Sequence, residues 1–201
     1  MRYITRSSAE LSADEAYRLL TGAIVPRPIA WITTLNDNGA VNAAPFSSFN
    51  YVAHSPPALA VNIARRDGSL KDTARNIVSS GEFVVNVATI QNIDIVHASS
   101  ADFSPDISEC DILEIPLEAS QFVRPPRIAV SPIQCECRLL QQIPLGEVNT
   151  LYIGEVVAFH LSTSVFDGRR IDVHQLQPIA RLGGPFYAQV GPLTKLDRVS
   201  N

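Results

Sequence analysis

Proline restricts this chain more than any other residue. It occurs 14 times in 201 residues, about 7% against a usual value of roughly 5%. Nine of them fall at 26, 28, 45, 56–57, 116, 125–126 and 132, each group lying between apolar runs. Proline fixes its own φ and has no N–H to give to a ladder, so it marks strand boundaries and rigid turns. The spacing therefore predicts many strands joined by stiff connections.

The segments between the prolines fit that expectation. Residues 29–35 are β-branched and aromatic and predict a strand. Asn36-Asp37-Asn38-Gly39 is a hairpin signal, with 40–44 as the return strand ending at Pro45. Residues 58–64, 83–88 and 149–162 predict further strands. In 133–139, Ile133, Cys135, Cys137 and Leu139 alternate with Gln134, Glu136 and Arg138, the pattern of a half-buried strand. Helices are fewer. Residues 12–21 start with a capping box, Ser12 and Glu15. Residues 69–78 start with a similar pair, Ser69 and Asp72, and have Gly81 as the stop. Shorter helices are expected at 91–100 and 171–177, and 102–127 has no clear period. The expected architecture is mainly β, a sandwich or barrel with a few outer helices. It forms one domain over 1–201, with its core at about 12–190.

Composition removes several function classes. Lys and Arg number 16 against 20 Asp and Glu, a net charge of −4. No basic stripe appears, which argues against a nucleic-acid partner. Hydrophobic residues are 46% and charged residues 18%, unlike a disordered chain. No apolar run approaches the roughly 18 residues of a membrane span. The opening Met1-Arg2-Tyr3-Ile4-Thr5-Arg6 lacks the apolar stretch of a signal peptide. Three cysteines make no disulfide framework and point to a reducing compartment, the cytoplasm by default. Cys135 and Cys137 are predicted to share the core face of one strand. With no second cysteine pair, no metal site is expected.

The common catalytic signatures are missing: no G-x-G-x-x-G, P-loop, G-x-S-x-G or H-E-x-x-H. The histidines, at 54, 97, 160 and 174, lie far apart. What remains is a set of hydroxyl and amide side chains at strand ends: Thr33, Thr34, Ser47, Ser48, Asn50 and Asn62. Lys71-Asp72-Thr73-Ala74-Arg75-Asn76 adds cations and a hydroxyl where a helix opens. A helix N-terminus presents free N–H groups and the positive end of the dipole, which suits an anion. A phosphorylated ligand fits this set, and so does an ordinary capped surface helix.

The order of segments adds a resemblance. Pro26-Arg27-Pro28-Ile29-Ala30-Trp31-Ile32-Thr33-Thr34 comes first, then Asn42-Ala43-Ala44-Pro45-Phe46-Ser47-Ser48-Phe49-Asn50 and Pro56-Pro57. Lys71-Asp72-Thr73-Ala74-Arg75-Asn76 and Glu82-Phe83-Val84-Val85-Asn86 follow. The second half continues with Ser131-Pro132-Ile133-Gln134-Cys135-Glu136-Cys137-Arg138, Leu151-Tyr152-Ile153-Gly154-Glu155-Val156 and Arg181-Leu182-Gly183-Gly184 before Tyr187. This series resembles the flavin reductase-like family of FMN-binding split β-barrels. The resemblance implies a six-stranded antiparallel split barrel, a homodimer, and FMN near the subunit interface. It implies flavin or phosphate contacts from Thr33, Thr34, Ser47, Ser48, Lys71, Asp72 and Thr73, with Asn50, Asn62 and Asn76 as further candidates. Arg181, Gly183 and Tyr187 would approach from the C-terminal segment of the same or the other subunit.

The activity implied is that of an FMN-dependent oxidoreductase. A hydride would pass from NADH or NADPH to flavin N5, so no catalytic side chain is required. The partner implied is a monooxygenase or another electron-accepting protein. The segment Arg181-Leu182-Gly183-Gly184-Pro185-Phe186-Tyr187 lacks the Gly-Asp-His or His-Gly-Arg-Tyr motif of many such reductases and is closer to the flavoredoxin-like branch. A non-enzymatic FMN electron carrier and a flavin-free binding module are the alternative expectations.

Overall fold

A computed structural model describes residues 1–104, 107–197 and 199. The chain opens with helix α1, Ala13–Ala23, whose predicted capping box is formed: Ser12 accepts from the Glu15 N–H, and the Glu15 carboxylate accepts from the Ser12 N–H at 3.0 Å. A short strand β1, Arg27–Pro28, leads into β2, Ala30–Leu35, and β3, Val41–Phe46. The turn between β2 and β3 is held by Asn36, whose Oδ1 accepts from the N–H groups of Asn38 and Ala40. Gly39 takes a left-handed φ of 83° there, which a β-carbon would strain.

β4, Phe49–His54, and β5, Pro57–Ala64, follow, and then α2, Asp72–Ser80, and β6, Glu82–Val87. α3, Ile93–Ala98, falls within the helix expected at 91–100; the segment without clear period then holds α4, Glu109–Ile112, and the short strand β7, Leu117–Glu118, and runs into β8, Arg127–Ile128. Two 13-residue strands, β9, Ile133–Leu145, and β10, Asn149–Leu161, form the long hairpin. The described chain closes with α5, Val173–Leu176, β11, Ile179–Arg181, and β12, Tyr187–Gln189.

Seven strands make one antiparallel sheet in the order β3-β2-β6-β9-β10-β5-β4. The fold is a split barrel of mainly β structure with a few outer helices, as expected. The strand beyond the expected six is β4. Residues 41–54 form one extended path that bends at Ser47 and Ser48, so it counts as two strands. Pro45 lies inside β3 rather than ending it, opposite Trp31. β3 is an edge strand, where a missing N–H costs no ladder bond. β1, β11 and β12 form a small separate sheet.

β2 is buried on both faces. Ala30 and Ile32 enter the barrel core with Ile77, Phe83, Val85 and Cys137. Ile29 and Trp31 point the other way, into a second core with Val96, Cys110 and Ile128. Successive strand residues face opposite sides, so one strand serves two cores. Gly154 on β10 is required by packing, because the Phe83 ring occupies the space a β-carbon would need.

Two further expectations change. The cap of α2 is Lys71, with no side-chain hydrogen bond, rather than Ser69. Ser69 instead exchanges backbone hydrogen bonds with Arg66. The first residues of β9 are not half-buried: Gln134 and Glu136 are as enclosed as Cys135 and Cys137. The segment at 121–123 covers that face. Glu136 Oε1 accepts from the Gln121 N–H at 2.8 Å and lies 2.6 Å from His160 Nε2. Its Oε2 accepts from Phe122 at 2.6 Å and Val123 at 3.0 Å. Burial alone would raise this carboxyl's pKa, but those hydrogen bonds together hold it below the usual glutamate value.

Candidate functional site

Pro45 and Phe46, at the end of β3 just before the bend, form the ridge of a groove with two lobes. Both lobes share Pro45, Phe46 and Ser100. The first lobe, about 510 Å³, runs to the start of α2 and is lined by Asn42, Arg66, Ser69, Lys71, Asp72 and Thr73. The second lobe, about 240 Å³, lies against α1 and the small sheet, with Tyr17, Arg27, Ser47, Arg181 and Tyr187 in its wall.

The first lobe gathers hydrogen-bond donors at a helix start, with Asp67, Asp72, Asp102 and Glu109 among its lining as well. α2 has nine residues and no side-chain cap, so its first N–H groups remain available at the positive end of the dipole. Lys71 is half-buried there. Burial lowers its ammonium pKa first, the nearby Arg66 lowers it further, and Asp102 opposes both. Thr73 is buried, and its Oγ1 accepts from Asn42 Nδ2 at 2.9 Å. That leaves the Thr73 hydroxyl hydrogen to donate. Glu109 also lines this lobe, and its carboxylate accepts from the Ala43 N–H at 3.0 Å. Burial raises the Glu109 pKa, with Asp72 adding to the effect, against hydrogen bonds from its own N–H and that of Ala43.

The predicted residues separate into three groups. Ser47, Lys71, Asp72, Thr73, Arg181 and Tyr187 line the groove. Thr33, Thr34 and Asn76 are enclosed and line neither lobe. Thr33 donates to the Pro126 carbonyl at 2.6 Å. Thr34 Oγ1 accepts from Asn76 Nδ2 at 3.0 Å and lies 3.4 Å from Asn42 Nδ2. Thr34, Asn76 and Asn42 thus form a network that braces Thr73 from behind, while Thr33 is tied to the 126 segment. Ser48, Asn50, Asn62 and Gly183 lie outside the lining. Asn50 Oδ1 accepts from the Tyr51 N–H at 2.9 Å, and Asn62 Nδ2 reaches Asn149 Oδ1 at 3.3 Å. Gly183 packs on the backbone of Gly22.

The sequence reading missed Asn42, Glu109 and Arg27. Glu109 sits in the segment without period, so no spacing could single it out. Arg27 lies between two prolines, and only the fold shows its role. Its Nη1 donates to the carbonyls of Thr21 and Ile24 at the C-terminal end of α1, where a cation meets the negative end of the dipole. Tyr187 touches His97, with its hydroxyl 2.9 Å from Nδ1 and the two rings edge to face at 87°. Cys135 and Cys110 are buried thiols with pKa pushed up to about 12, and Cys137 is raised as well. None is poised as a nucleophile.

The sequence profile of the flavin reductase-like domain matches residues 22–175. The chain belongs to this family. A curated relative, YwrF of Bacillus subtilis (strain 168), is 41% identical over 198 residues, covering 95% of this chain and 97% of that protein. Nitrilotriacetate monooxygenase component B from Bacillus cereus superposes with a TM-score of 0.95 at 34% identity, over 98% of this chain and 100% of that one. The 2-nitrobenzoate 2-nitroreductase NbaA of Pseudomonas fluorescens gives 0.88 at 33% identity, over 96% and 95%. Flavoredoxin of Desulfovibrio vulgaris (Miyazaki F) shares the fold, with a TM-score of 0.75 at 19% identity over 86% and 91%. This flavin reductase-like chain is thus a flavin-related oxidoreductase or electron carrier. Among its described residues, no helix is long and apolar enough to cross a membrane.

Proposed function

We propose that the chain binds FMN in this groove and works as an NAD(P)H-dependent flavin reductase. The observation that carries the reading is the first lobe: an uncapped nine-residue helix start with Lys71 and Thr73 beside it. Free N–H groups, an ammonium and a hydroxyl donor are the donor set a phosphate monoester needs. Asn42 orients Thr73, and Thr34 holds Asn42, so the donors are fixed before a ligand arrives. Pro45 and Phe46 lie between the lobes and offer an apolar support for a ring system. When bound, FMN supplies a hydride acceptor at N5 for a reduced nicotinamide. The chain itself binds and orients, and no side chain is assigned as acid or base.

We also propose a homodimer with a second copy seated on α1. No residue of this helix is buried. Tyr17, Leu19, Leu20 and the following Ile24 are more than half exposed, at 69%, 53%, 64% and 61%. A helix with this much bare apolar surface is stabilised by a partner. Tyr17 and Thr21 also line the second lobe, so a second copy there would stand at the groove's rim. A monooxygenase is the proposed protein partner for the reduced flavin.

The test is the visible spectrum of the purified, FMN-supplemented protein before and after anaerobic NADH or NADPH. Flavin bands that bleach within the mixing time support the reductase. Flavin bands that persist with both nucleotides support an electron carrier instead, the reading favoured by the histidine-free 181–187 segment. Failure to take up FMN overturns both.

A further inference from the structure

Arg27 on β1 and Arg181 on β11 are register partners across an antiparallel pair. Residues directly opposite in such a pair project from the same face, and like charges placed this way repel. Neither guanidinium lies within ion-pair distance of a carboxylate among the described residues. In the first lobe the arginines are matched: Arg66 with Asp102 at 2.6 Å, and Arg75 with Asp72. The second lobe has two cations and no counter-charge.

The remaining contacts of the pair are to neutral groups. Arg27 Nη1 donates to the Thr21 and Ile24 carbonyls and Nη2 to the Leu182 carbonyl at 3.0 Å, while Arg181 Nη2 donates to the Gly184 carbonyl at 2.8 Å. Arg27 Nε is buried and has no hydrogen-bond partner among the described residues. These carbonyls hold both guanidiniums in place, and the α1 dipole offsets only part of the Arg27 charge. The Arg181 guanidinium stands 4.6 Å from the centre of the Tyr187 ring. Tyr17, Phe46 and Tyr187 supply aromatic surface in the same lobe.

We infer that the second lobe is a subsite for a small planar organic anion, an aromatic carboxylate, held by the opposed Arg27 and Arg181 between aromatic walls. A carboxylate relieves the cross-strand repulsion and gives each guanidinium a charge-assisted acceptor. The 240 Å³ lobe admits a single substituted ring. Because the lobes share Pro45 and Phe46, a ligand here lies beside whatever fills the first lobe. Its place as the molecule meeting the flavin rests on the FMN reading; its preference for a carboxylate does not.

The experiment titrates the full chain, with and without FMN, by calorimetry using benzoate and its neutral isostere benzamide. Benzoate is expected to bind at least tenfold more tightly than benzamide and to raise the melting temperature. Arg181→Gln should lose that preference, and Arg181→Lys should keep part of it. The lysine variant reports on the site if the glutamine variant does not fold. Equal binding of the two probes, no binding of either, or an undiminished preference in Arg181→Gln overturns the subsite. FMN uptake, read by absorbance in the same samples, separates the two readings. Benzoate preference without FMN uptake sinks the flavin reading alone, and FMN uptake without benzoate preference sinks the subsite alone.

Discussion

The barrel wall at Glu136 and the groove floor at Glu109 each enclose a glutamate, and the two are treated in opposite ways. Glu136 is fully buried but receives three backbone N–H groups and His160. Its negative charge is compensated, and its pKa falls. Glu109 is nearly as buried, yet the described neighbours give it the Ala43 N–H and its own. Its pKa rises. The same side chain is a fastener where donors surround it and an under-satisfied group where the groove leaves space. Stability is concentrated at the first place; at the second, a polar group is left partly unspent, as the proposed ligand site requires.

The largest expected effect breaks the fastener. Glu136→Ala strands three N–H groups and His160, at a cost of about 3–5 kcal/mol, measurable by denaturant unfolding. The pH dependence carries the same sign. With the folded pKa below the usual value near 4.5, the stabilisation is complete above that pH. It is lost as pH falls through the folded value. An acid melt of the Ala variant that matches the slope of the wild type would contradict the assignment.

Next comes the groove. Lys71→Ala should weaken FMN binding by about 1.5–3 kcal/mol, with little change in melting temperature. Unchanged affinity in a flavin titration removes Lys71 from the site. Thr34→Val tests the brace behind Thr73. Losing that hydroxyl leaves Asn76 Nδ2 without its acceptor, costing about 1–2 kcal/mol of stability. FMN affinity should fall with it, although Thr34 is itself enclosed. A stability loss with FMN affinity intact would make Thr34 purely a fold residue.

The smallest effect sharpens the contrast. Glu109→Gln keeps an acceptor for Ala43 and removes a poorly compensated charge. It should stabilise the chain at neutral pH by up to about 1 kcal/mol. A folded pKa above 4.5 means that Glu109 favours folding below that pH and loses this contribution as pH rises through its folded value. The glutamine variant should lack that decline. Destabilisation on the scale of Glu136→Ala would show that the two glutamates are alike after all.

Local sequence carried much of the fold. The Ser12 and Glu15 cap, the Asn36–Gly39 turn, the Gly81 stop and the strand runs are short-range signals, set by propensity and hydrogen bonds within a few residues. They were legible for that reason, and the order of the motifs pointed to the family. The structure alone decided matters of long-range contact. Glu136 read as the outward residue of a half-buried strand until the 121–123 segment closed over it. Thr33 and Thr34 had the chemistry of ligand contacts but their side chains are enclosed, because β2 is covered on both faces. Glu109, and the meeting of Arg27 with Arg181 across 154 positions of chain, had no local mark at all. Periodicity reports which residues share a face; what lies against that face depends on elements distant in sequence, and at this groove that packing determines which polar groups are spent on the fold and which remain for a ligand.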